Sequence, residues 1–146
     1  MAIIDKNLNF HNDTVVTTAA TYSGDSLALR EVATLSSERA GQPLQVVVRV
    51  TGDFNSGGTN ITFRLVSSNA ADLSSPVTQH TSAALADPAA GTEVIFPLTL
   101  PVTDADATHI GVTGVSTGTY TPSATEPCTF SAWISGAGEE QFTIND

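Results

Sequence analysis

The sequence predicts an all-β protein: a single domain over residues 1–146, folded as an antiparallel two-sheet jelly-roll sandwich of about eight strands. Three observations predict it. Thr and Ser supply 35 of the 146 residues, and β-branched side chains fit a pleated surface better than a helix. Apolar and polar residues alternate with period two in five separate runs, the signature of half-buried strands. Turn-forming segments punctuate those runs at roughly 10–16-residue spacing, with no helical interlude.

In chain order, TVVTT (14–18) and SLALR (26–30) read as weaker strands. Ala28, Val32 and Leu35 also have the spacing of a short helical turn over 27–35, but Gly41 and Pro43 close behind it, and the strand reading is preferred. In LQVVVRVT (44–51), Leu44, Val46, Val48 and Val50 share the inward face. In NITFRLVS (60–67) the inward set is Ile61, Phe63 and Leu65. PVTQH (76–80) is another weak strand, with His80 outward. EVIFPLTL (93–100) turns Val94, Phe96, Leu98 and Leu100 inward, and Pro97 marks it as a sheet edge or bulge. THIGVTGV (108–115) alternates Ile110, Val112 and Gly114, with His109 outward. CTFSAWIS (128–135) turns Cys128, Phe130, Ala132 and Ile134 inward and Trp133 outward; QFTI (141–144) is a last weak strand.

The connections carry turn chemistry. TGDFNSGG (51–58), rich in Gly and Asn between two strong strands, predicts a hairpin tip. NAADLSSP (69–76) predicts a short capped turn ended by Pro76, and 84–92, 103–108 and 123–127 are polar connections.

Charge narrows the function. Fifteen acids face five bases, a formal net charge of −10. Residues 65–146 hold nine acids and neither Lys nor Arg. Nucleic-acid partners need Lys and Arg to neutralise phosphates, and anionic membranes need the same, so both are excluded as expectations. The acidic surface serves solubility, or docks on a basic partner. The N-terminal MAIIDKNLNFHNDTV lacks an apolar stretch and carries Asp5, so a signal peptide is not expected. Synthesis in the cytoplasm as a soluble protein is the expectation. The N-x-T triplets at Asn12 and Asn60 are chance matches in a Thr-rich chain.

Each candidate for chemistry meets a physical objection. GVSTG (114–118) matches the nucleophile elbow around Ser116, but no helix follows, and His11, His80 and His109 all precede it. Asp53 to Gly58 begins like a calcium loop, yet the place of the closing acid is taken by Arg64. Asp104 and Asp106 form a two-carboxylate turn whose default is solvation. The histidines lack ligand-pair spacing. Cys128 is the single cysteine and reads as a small buried hydrophobe. Trp133 either caps a sheet edge or anchors an interface, with equal weight. No catalytic, metal or cofactor site is expected.

DKNLNF (5–10), GQPLQVVVRVTGDF (41–54), TFRLVSSNAADLSSP (62–76) and PLTLP (97–101), in that order, resemble the jelly-roll capsid cement (decoration) proteins of tailed bacteriophages. The resemblance implies a non-enzymatic virion component on the capsid exterior. It implies that the major capsid protein is its partner, with neighbouring subunits bridged, and that it acts as a small homo-oligomer, a dimer favoured and a trimer possible. The expected capsid contact is Asp53, Phe54 and Asn55, because an apolar ring between polar turn residues is an anchor in search of a pocket. The alternative is a carbohydrate- or receptor-binding β-sandwich with Trp133, Tyr22 and Tyr120 as its aromatic platform. An enzyme drawing a carboxylate pair from the acidic loops is a third, weaker reading.

Overall fold

Period-two alternation obliges each strand to bury one face, and two sheets packed face to face satisfy all the strands at once. The computed structural model describes residues 9–30, 44–55, 60–98 and 107–136. They form nine strands: β1 (Asn9–Val15), β2 (Thr21–Tyr22), β3 (Ser26–Ala28), β4 (Leu44–Gly52), β5 (Ile61–Ser68), β6 (Val77–Thr81), β7 (Glu93–Leu98), β8 (His109–Ser116) and β9 (Thr129–Gly136). One antiparallel sheet has the order β1-β9-β4-β7, the other β2-β8-β5-β6, with β3 also paired to β8.

The five strong runs become β4, β5, β7, β8 and β9 to within a residue or two. Their inward sets form the core: Val46, Val48 and Val50 with Phe130, Ala132 and Ile134 on one side, and Ile61, Phe63, Leu65, Ile110 and Val112 on the other. Phe63 and Phe130 meet across the midline with ring centroids 4.9 Å apart. The weaker expectations shift. The first strand begins at Asn9, five residues before the run read from TVVTT. SLALR is a strand only to Ala28, and Leu29 and Arg30 turn helical. The short β2 carries too little alternation to be read. Residues 99–100 and the strand expected at 141–144 lie outside the described residues, as do Asp104 and Asp106.

The chain changes sheet at every connection except β2–β3 and β5–β6. That corrects the hairpin expected at 51–58. β4 and β5 lie in different sheets, so the chain leaving β4 at 53–55 arches over the end of the core; residues 56–58 lie outside the described residues. Among the described strands, the one hairpin of consecutive neighbours is β5–β6, joined through 69–76.

β2 and β3 behave as one interrupted edge strand. Tyr22 pairs with Gly114 and Ser26 with Gly111, leaving Val112 and Thr113 without a strand partner on this edge of β8, while β5 pairs with them on the other. In the gap, Gly24 (φ 62°) takes a left-handed turn and packs so tightly on the Phe10 carbonyl and the His11 ring that a Cβ would collide with both. The Asp25 N–H donates to Phe10 O at 2.9 Å. The interruption thus hooks one sheet's edge to the other's.

Candidate functional site

The β4–β5 arch holds the predicted contact residues, and the structure separates their roles. Phe54 is not an exposed anchor: it is 4% exposed, packed edge-on against Tyr120 with centroids 4.9 Å apart. The sequence shows a lone apolar residue between polar ones, but not the Tyr120 ring that the β8–β9 connection brings over it. Around Phe54 the arch is tied down by backbone. Phe54 N–H donates to Pro88 O at 3.0 Å, and Cys128 N–H donates to Asp53 O at 3.0 Å. Asp53 is exposed, and its Oδ1 accepts from Ala90 N–H at 2.7 Å. The Asn55 amide donates to Thr121 O. Residues 53–55 therefore join the 82–92 and 117–128 connections in one cross-linked end of the sandwich.

The other nominated residues are dispersed. Ser116 sits at the end of β8 and gives its hydroxyl to Gly118 O at 2.9 Å, the structural role the absent helix implied. Cys128 is buried with φ 55°, and its carbonyl accepts from Val16 N–H at 2.9 Å. Trp133 points away from the core, as read, yet is only 9% exposed, and its indole N–H has no hydrogen-bond partner among the described residues. His109 faces outward, its Nδ1 2.9 Å from Thr108 Oγ1.

His80 is a correction. It pairs with inward Leu65 and stacks on Phe96 of the other sheet, 6.2 Å between centroids and 17° between planes, so it faces inward and closes the β6–β7 side. The bulge between Leu65 and Val66 adds one residue to β6, which reverses the facing that simple alternation predicts.

His11 is the residue sequence reasoning missed. It is 3% exposed, tilted against Phe130 at 4.5 Å, with Nε2 2.7 Å from Val112 O and Nδ1 2.9 Å from Thr14 Oγ1. Burial lowers its pKa below the usual 6.5, and this outweighs the bond to Val112 O and the nearby Asp25 charge, both of which raise it. Polar neighbours at Asn9, Asn12 and Asp13 gave no sign of a buried ring.

No group of three or more His, Cys, Asp or Glu among the described residues is placed to hold a metal ion. No helix among them is long and apolar enough to cross a membrane. No protein-family model matches the chain, and no curated protein matches it.

Proposed function

We propose that this protein is a capsid cement protein, bound to the outer surface of a phage icosahedral shell and bridging neighbouring major capsid subunits. The observation that carries the proposal is where the resembling stretches fall. GQPLQVVVRVTGDF runs into β4, TFRLVSSNAADLSSP is β5 with its hairpin loop, and PLTLP begins at the end of β7. These are one central strand of each sheet, β4 and β5, and the edge strand β7, so the likeness follows the scaffold rather than one local motif. A second support is the strand order. With β2 and β3 taken as one interrupted strand, eight strands remain, and each connection but the β5–β6 hairpin crosses between sheets. This repeated crossing supports the jelly-roll reading. Charge is the third: a net −10 is poorly matched to packaged DNA and well matched to the outside of the shell.

In this reading the arch offers Asp53 and Asn55 to the shell, while Phe54 anchors it from beneath. The protein acts as a homodimer in preference to a trimer. The mechanism is mass action. A protein that binds only the assembled lattice stabilises each site by RT ln(1 + [L]/Kd), about 2.7 kcal/mol at a hundredfold excess over Kd. Particles carrying the protein should rupture at higher temperature or osmotic shock than particles lacking it, and equal thresholds refute the role. The carbohydrate-binding alternative gains nothing from the aromatic positions. Tyr120 and Trp133 are buried, and the Tyr22 hydroxyl is engaged by Thr17 and Thr18.

A further inference from the structure

The break between β2 and β3 leaves the Val112 carbonyl without its ladder donor, and the missing donor comes from the opposite sheet: His11 Nε2, 2.7 Å away. We propose that His11 is an acid-sensitive latch between the two sheets, tying β1 to β8 as a neutral ring and releasing that side of the sandwich when protonated. A carbonyl accepts only, so Nε2 carries the ring's proton and Nδ1 is the bare nitrogen, accepting from the Thr14 hydroxyl. A second proton has one place to go, Nδ1. It forces the Thr14 hydroxyl to give up its donation, and it puts a full charge on a side chain that is 3% exposed.

The surroundings give that charge little relief. On one side the Gly24 backbone lies too close to admit even a methyl group, so no water solvates the ring there. Phe130 covers another side. On its own strand the nearest acid is Asp13, which faces out and accepts from the Ser131 hydroxyl. From the 23–25 segment comes Asp25, which favours the charged ring. β8 and β9 present Val112 and Phe130, neither ionisable. Burial wins over Asp25, so the folded ring is the weaker base. The sign follows: the latch is fully closed above about pH 6.5, the unfolded value, and loses stability as pH falls below it. This property belongs to the isolated chain and stands or falls independently of shell binding.

The test is amide hydrogen exchange on the full-length protein at about pH 7.5 and about pH 5, corrected for intrinsic rates. Protection should fall in β1 and across 21–28 on acidification, by up to about tenfold per pH unit, while β4 and β5 hold theirs. His11→Gln retains an amide donor for Val112 O but no titrating group, so its exchange should be the same at both pH values. Unchanged protection of β1 in the wild type, or an equal acid response in H11Q, overturns the proposal. Should H11Q not fold, the wild-type ring resonances decide. His11 must take up its proton below pH 6.5 and together with the loss of β1 protection. Protonation at or above 6.5, or protonation with β1 still closed, overturns it equally.

Discussion

Tyr22 and Tyr120, the only two tyrosines of the chain, occupy opposite electrostatic settings. The Tyr22 oxygen accepts the Thr17 and Thr18 N–H groups, each at 2.9 Å, and donates to Thr18 O at 3.2 Å. Burial alone pushes its pKa up, but the hydrogen bonds from Thr18 and Thr17 stabilise the phenolate and bring it down to about 8. Tyr120 is 1% exposed, and its hydroxyl has no hydrogen-bond partner among the described residues. Burial raises its pKa, with the Asp87 and Cys128 charges adding to the effect. A near-ultraviolet absorbance titration should therefore show two separate tyrosine steps, one near 8 and one above 10, and Tyr22→Phe should remove the lower. Because the folded pKa of Tyr22 is depressed, its contribution to stability grows as pH rises from about 8 towards 10. None of this is legible along the chain. The sequence marks Tyr22 and Tyr120 only as aromatic rings, and their settings come from backbone groups and neighbours placed by the fold.

The β5–β6 connection shows the same division at the level of an element. Its turn character is plain in NAADLSSP, and the turn forms: Leu73 N–H donates to Ala70 O at 3.1 Å, and Asp72 Oδ1 accepts from Ser74 N–H at 3.0 Å. What the turn chemistry does not announce is Leu73, held at φ 59° with its side chain on the outer face of the β8 sheet, over Gly111, where a Cβ would strike Leu73 Cδ1. A bulky residue in the left-handed region costs about 1–2 kcal/mol, so the buried contact must offset it. Leu73→Ala should lower unfolding free energy by about 2–3 kcal/mol in urea denaturation. The sheet edges are blunted by separate devices: two register shifts in β1, the β2–β3 break, one bulge beside β6, and Pro97 in β7. Such devices discourage edge-to-edge aggregation. Only Pro97 was readable beforehand, because it alone is a residue type rather than a register.

For the whole molecule, charge is the controlling quantity. A net −10 on a chain of 146 residues works against the compact state by self-repulsion. The Arg49–Glu93 pair, 3.3 Å apart across β4 and β7, is solvated and contributes little against it. Raising salt from about 0.01 M to about 0.15 M shortens the Debye length from about 30 Å to about 8 Å, and Tm should rise. A Tm that falls would mean that attraction, not repulsion, dominates the surface. The all-β class, the inward faces of the five strong strands and the acidic surface all follow from composition and alternation, which are local or additive properties.

Alternation states that one face of a strand is buried; it does not state which strand lies alongside and which lies opposite. A hairpin of β4 with β5, and their packing across the core, bury the same Val46, Val48, Ile61 and Phe63. Pairing between distant segments makes that choice, β4 with β9 and β7, β5 with β8 and β6. Phe54, His11 and His80 were beyond a reading of the chain for the same reason. The partners that bury or turn them, Tyr120, Val112 and Phe96, come from remote parts of the sequence. Their burial is a property of the assembled sandwich.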